Sequence, residues 1–201
     1  MLVRSCLLFA LLGYVASFEP PTTLSPMTSP TVTPPAAACS VLVVADLSSA
    51  GASWHVEHTL VRATVAGIFD GAKHRSFPTQ VAFWRYSSGP DADGPLPTAF
   101  GTDYYSVPIR FEDKGGDLSV ANATASINNW SVTNSVIAIF TSSNKNQIVA
   151  AGQNYLRKAL TVGISDTQDA SPFAAVVLHE HDTNMISDAI LDMCKTLIQQ
   201  K

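Results

Sequence analysis

Oxygen-bearing side chains cluster at three places in this chain, two where a buried strand stops and one where a helix begins. The first is Asp46-Leu47-Ser48-Ser49-Ala50, the second Gly115-Gly116-Asp117, and the third Thr141-Ser142-Ser143. Carboxylates and hydroxyls on separate loops are what a hard divalent cation needs, and Mg²⁺ in addition keeps waters and accepts an oxygen from a bound ligand. A shallow, oxygen-lined surface of that kind binds a partner; it does not enclose a reaction. A fourth cluster, His179-Glu180-His181-Asp182, has the side chains for Zn²⁺ or Cu²⁺. Four consecutive residues converge poorly on one tetrahedral ion, so it reads as a loop with Asp182 or Thr183 capping the next helix. His55 and His58 fall near the start of a helical pattern, on a partly exposed face with no catalytic partner.

The elements that must position these clusters follow from hydrophobic period. Val41 to Ala45 is a continuous, mostly β-branched apolar run, the signature of a strand buried on both faces. Trp54 to Asp70 carries Leu60, Val61, Val65 and Ile68 at three- and four-residue spacing; Ser53 is placed to cap this helix and Gly71 to stop it. Thr79 to Tyr86 reads as a second strand. A Pro/Gly-rich loop, 87–101, then leads to a third around Tyr104 to Phe111, which Pro108 confines to a sheet edge as the partner of an antiparallel hairpin. A helix runs from Gly115 to about Asn128. Val136 to Phe140 is a second fully buried strand, followed by a helix from about Asn144 to Lys158. Leu160 to Ile164 and Ala174 to Leu178 read as the last strands. The last helix, about Thr183 to Ile198, has Ile186, Ile190, Met193 and Leu197 on its apolar face, with Cys194 beside them. Strands alternating with helices specify a three-layer, doubly wound α/β fold: a mostly parallel sheet of about six strands, with helices on both faces. In such folds ligands bind at the carboxyl edge of the sheet, where all three oxygen clusters fall.

With that order of elements, the chain from Cys39 to about Leu197 resembles the von Willebrand factor type A domain family. The resemblance rests on the buried strand ending in Asp46-x-Ser48, the Gly115-Gly116 helix start, the second buried strand and the flanking cysteines. The family carries a metal-ion-dependent adhesion site of pattern Asp-x-Ser-x-Ser, then a Thr, then an Asp on a third loop. The resemblance assigns Asp46 and Ser48 to the first motif. Ala50 stands where the last Ser belongs, Asp117 where the Thr belongs, and Ser142 where the third-loop Asp belongs. The implied metal set is therefore Asp46, Ser48, Asp117 and Ser142, for Mg²⁺ or Mn²⁺. The other reading of the same residues is a rim without metal, with Asp46 held by backbone N–H groups of its own turn. The implied role is extracellular binding of a protein or glycan partner, with no enzymatic activity.

The α/β hydrolase alternative uses Ser48 as nucleophile at the same edge. The chain has no Gly-x-Ser-x-Gly elbow, no P-loop and no dinucleotide glycine fingerprint to support it. The first 17 residues read as a secretory signal: Arg4, an apolar stretch from Cys6 to Val15, then Ala16-Ser17 before the cut. No later run approaches the roughly 18 apolar residues of a membrane span, so membrane insertion is not expected. Residues 18–38, rich in Pro, Thr and Ser, form a linker in the manner of a short stalk, O-glycosylated or bare, and 39–201 the folded domain. Loss of Cys6 with the signal leaves Cys39 and Cys194, which in an oxidising compartment read as one disulfide joining the ends of the domain. The formal charge of -4 becomes more acidic once Arg4 is removed, and with no basic run nothing favours nucleic acid. Asn122-Ala-Thr124 and Asn129-Trp-Ser131 are N-glycosylation acceptor patterns in a secreted chain.

Overall fold

The computed structural model describes residues 38–47, 54–87, 95–111, 120–130, 132, 134–141, 143–154, 160–165, 169–178 and 182–200. The signal (1–17), the linker up to residue 37, Ser48, Asp117, Ser142 and the 179–181 cluster lie outside these residues. Five strands are described: β1 (Cys39–Asp46), β2 (Thr79–Tyr86), β3 (Ser135–Phe140), β4 (Thr161–Ile164) and β5 (Val176–Leu178). They form one all-parallel sheet in the order β2-β1-β3-β4-β5. The described helices are α1 (Trp54–Arg75), α2 (Val120–Asn128), α3 (Lys145–Asn154) and α4 (Thr183–Gln199).

The continuous apolar run of β1 is explained by its central position. Val41, Val43 and Ala45 point to one face, where they pack with Val61, Val65 and Ile68 of α1 and Ile186, Ile190 and Leu191 of α4. Leu42 and Val44 point to the other, against Val120, Ala123 and Ile127 of α2 and Ile148 of α3. Period two along the strand thus feeds two separate cores, giving three layers. Cys39 and Cys194 are bonded, with Cα atoms 5.5 Å apart and 155 residues between them in sequence, and both are fully buried.

Three departures from the sequence pattern have physical causes. Helix α1 runs through Gly71 to Arg75. Gly71 does not stop it because the glycine lies against α4, where a Cβ would run into the Leu191 side chain. Close approach, not a left-handed turn, selects glycine here. Met193 and Leu197 are only partly buried, because the inward face of α4 is Ile186, Ile190, Leu191 and Cys194.

The segment Tyr104 to Phe111 is not a sixth strand. A 3₁₀ turn occupies Tyr104–Ser106, capped by Asp103, whose carboxylate accepts from the Tyr105 and Ser106 amides at 2.9 Å. Pro108 cannot extend a ladder. The antiparallel pairing at this edge is reduced to one bridge, in which Val81 and Gly101 exchange both backbone bonds at 2.8–2.9 Å. After the turn, residues 107–111 form a strap over α1, with Val107 and Ile109 buried in the core.

Gly152 of α3 offers a direct test of the packing. A Cβ there would come within 2.6 Å of the Pro172 backbone carbonyl carbon. Alanine gains about 1 kcal/mol of helix propensity, yet overpacking against backbone costs about 1–3 kcal/mol. Gly152→Ala is therefore expected to lower the thermal midpoint, and an unchanged or raised midpoint would show that the loop around Pro172 yields.

Candidate functional site

The order β2-β1-β3 makes the gap between β1 and β3 the point where the sheet reverses its winding. The chain leaves the carboxyl end of β1 toward β2 on one side, and that of β3 toward β4 on the other. That reversal, at the carboxyl edge of the sheet, is the place where folds of this kind bind ligands. Asp46 is the last residue of β1 and Thr141 follows the last residue of β3.

At this edge the end of β1 is joined by side chains to the residues that follow β3. Thr141 Oγ1 and Ser143 Oγ each donate to Asp46 Oδ2 at 2.5 Å. Thr141 Oγ1 also accepts the Ser143 backbone N–H at 3.0 Å, which fixes the turn that aims both hydroxyls. All three residues are buried, Asp46 and Ser143 completely. A carboxylate taken out of water carries a large desolvation cost unless hydrogen bonds replace its hydration. Bonds to a charged acceptor each contribute about 1.5–3 kcal/mol. The backbone completes the frame: Leu47 N–H donates to Tyr86 O at 2.9 Å and Thr141 N–H to Ile164 O at 3.0 Å. The ends of four neighbouring strands are thereby tied together around Asp46.

Of the residues assigned to the metal set, Asp46 is placed at the carboxyl edge between β1 and β3, and Ser48, Asp117 and Ser142 are outside the described residues. The sequence motif picks Ser142 from Thr141-Ser142-Ser143; the hydroxyls on either side of it are the ones that reach Asp46. Their spacing was the available signal, since residues two apart in an extended chain share a side. As a donor set Asp46, Thr141 and Ser143 suit a hard cation, being oxygen throughout. No group of three or more His, Cys, Asp or Glu side chains converges among the described residues.

Elsewhere, Asp182 caps α4, accepting from Asn184 N–H at 2.9 Å and Met185 N–H at 3.3 Å. Asn122 and Asn129 are both exposed, on α2 and just after it. The Thr124 hydroxyl of the first acceptor pattern donates back to the Val120 carbonyl at 2.8 Å. A groove of about 620 Å³ lies at the opposite, amino edge, lined by Arg75, Phe77, Asp192, Lys195, Ile198 and Gln199. On its wall Arg75 bridges α1 to α4 through Asp192 at 2.5 Å and Asp188 at 2.6 Å. The hydrogen bond to Asp192, supported by that to Asp188, holds the guanidinium above its usual range in spite of partial desolvation. Both acids are more than 60 % exposed, so solvent screens these pairs and each contributes about 0–1 kcal/mol.

No protein-family model and no curated protein sequence matches the chain. Among solved structures it is similar to proximal thread matrix protein 1 from the mussel byssus, with a TM-score of 0.50 and 10 % sequence identity. That match covers 78 % of this chain and 48 % of the byssus protein. The likeness is one of fold. A second match, to the pilus adhesin SpaC from Lactobacillus rhamnosus GG, has a TM-score of 0.47 at 10 % identity and covers 81 % of this chain and 31 % of the adhesin. The chain spans about half the length of the byssus protein and a third of that of the adhesin.

Proposed function

We propose that this chain is a secreted, non-enzymatic binding module of von Willebrand A type, which engages an extracellular protein or glycan through the carboxyl edge of its sheet and does so without a metal. The observation that carries this reading is the buried hydrogen-bonded cluster of Asp46, Thr141 and Ser143 at the winding reversal. The carboxylate oxygen that faces the third loop has two hydroxyl donors of its own, Thr141 and Ser143, which supports a framework role for Asp46. The buried disulfide and the absence, among the described residues, of any helix long and apolar enough to cross a membrane are in keeping with secretion. So is the fold-level likeness to a byssal thread matrix protein.

Were a cation to bind, Asp46, Thr141 and Ser143 would hold it, and it would supply a positive point for an anionic group of the partner. Calorimetric titration of Mg²⁺ and Mn²⁺ into the secreted protein, with Asp46→Ala as control, separates the two cases. The expected result is no saturable heat in either protein. Micromolar to millimolar binding that Asp46→Ala abolishes would replace the metal-free reading with a metal-dependent one.

A further inference from the structure

At the β2 edge of the sheet, the segment from Gly101 to Phe111 presents side chains that its own packing leaves in solvent. Tyr105 is 92 % exposed. The turn that carries it is fixed by reciprocal bonds: Asp103 caps it, and Ser106 Oγ donates to the Asp103 carbonyl at 2.8 Å and accepts the Asp103 N–H at 3.1 Å. A Cβ on Gly101 would come within 2.6 Å of Ser106 Oγ and 2.8 Å of Val107 Cγ2, so the chain entering the turn packs closely on the chain leaving it. The Tyr104 ring meets that of Tyr105 edge-on, with centroids 5.5 Å apart. After the turn, exposed Pro108 and Arg110 alternate with buried Val107 and Ile109, as in an extended chain with one side on the core.

Two cations accompany the tyrosine. Arg62 of α1 donates to His58 Nε2 at 2.5 Å, to the Ile109 carbonyl at 3.0 Å and to the Tyr104 hydroxyl at 3.4 Å. Each acceptor is neutral, so the guanidinium is held against the strap with no acid among the described residues in contact to cancel its charge. Arg110 likewise has no acid partner among the described residues. Asp103, the acid of the segment, directs its carboxylate to the amides of the turn.

We infer that Tyr105, Pro108 and Arg110, together with Arg62, form a docking surface for an acidic segment of an extracellular protein. The chain as a whole is acidic, at -4, but salt limits the reach of exposed charges to about 10 Å, so the local sign decides what approaches. Tyrosine and arginine are the side chains most often found at the energetic centre of protein interfaces. The planar guanidinium takes a carboxylate through two parallel bonds, while the Tyr105 ring and Pro108 accept an apolar side chain next to that acid. Because the turn is already ordered, little conformational freedom is lost when a partner settles on it. The segment contains no lysine, and its apolar half has no use for a sulfated sugar. This surface is separate from the Asp46 rim, and the reading of the rim does not enter the argument.

The test is fluorescence anisotropy of a labelled peptide of alternating Glu and Leu, titrated with the full secreted chain at low and at physiological salt. Saturable binding that weakens with salt is expected. Tyr105→Ala and Arg110→Gln are each expected to weaken it about fivefold or more, while Lys195→Gln, on the amino-edge groove, stays within about twofold. Tyr105 and Arg110 are exposed, so both variants are expected to keep the wild-type thermal midpoint. Amide shifts on adding the peptide are expected in 102–111 and not in β3, which locates the site without any variant. No saturable binding, equal affinity in all four proteins, or shifts confined to other elements overturns the docking surface. So does binding of a heparin-derived oligosaccharide through Tyr105 and Arg110 where the peptide does not bind.

Discussion

Replacing Cys39 and Cys194 together by alanine is expected to lower the free energy of unfolding by about 5 kcal/mol. The bond closes a loop of 155 residues, and the chain-entropy account assigns a crosslink of that span close to the largest stabilisation a single disulfide supplies. Single domains are stable by about 5–15 kcal/mol, so the loss is a third or more of the total. Position makes the effect cooperative. Cys39 opens the central strand, whose neighbours β2 and β3 pair with it along its length, and Cys194 lies on the buried face of α4. Without the crosslink, α4 is held to the sheet by Ile186, Ile190 and Leu191 and to α1 by the Ser187 hydroxyl, which donates to the Thr64 carbonyl at 3.2 Å. Urea unfolding of the wild-type and alanine-pair proteins measures the difference. A loss under about 1 kcal/mol would mean that the unfolded chain is already restricted, or that the crosslink distorts the native sheet as much as it restricts the unfolded one.

The layers of this fold were legible in the sequence because burial on both faces leaves an unmistakable pattern. The runs Val41–Ala45 and Val136–Phe140 have no polar alternation, and they are the two strands at the winding reversal, each feeding both cores. The disulfide was legible for a similar reason: with Cys6 read as part of a signal, Cys39 and Cys194 are the one pair left. What the residues did not reveal is tertiary. Gly71 has the chemistry of a helix stop, and only the approach of Leu191 shows why the helix continues. Tyr104 to Phe111 has strand-like residues, but Asp103 gives the turn a better set of backbone partners than an edge ladder interrupted by Pro108. At the rim, the order of the strands brought the first and third oxygen clusters together, as expected of a carboxyl edge. Which hydroxyls would meet Asp46 depended on the turn after Phe140, which a motif comparison does not encode.

Substitution of Asp46 has the second large expected effect, because its carboxylate is the shared acceptor of the rim. Asp46→Ala removes the acceptor for two buried hydroxyls, Thr141 and Ser143, each of which then faces the cost of an unmade bond, about 1–3 kcal/mol. Deleting a buried charge also relieves its desolvation, which offsets part of that loss. A net destabilisation of about 2–4 kcal/mol is expected for Asp46→Ala, and about 1.5–3 kcal/mol for Ser143→Ala, which leaves the carboxylate one donor short. Asp46→Asn keeps the shape and one carbonyl acceptor and is expected to cost less than alanine. Because Asp46 and Ser143 share a bond, the double variant Asp46→Asn, Ser143→Ala is expected to be more stable than the sum of the single losses predicts, by about 0.5–3 kcal/mol. Chemical unfolding of the four proteins measures this coupling. Its sign bears on what the rim is for. In a metal-free module the carboxylate belongs to the framework, and the coupling is positive. A carboxylate kept for a cation is a strained group in the cation's absence; Asp46→Asn would then raise the unfolding free energy, since sites built for binding are commonly held at a cost in stability.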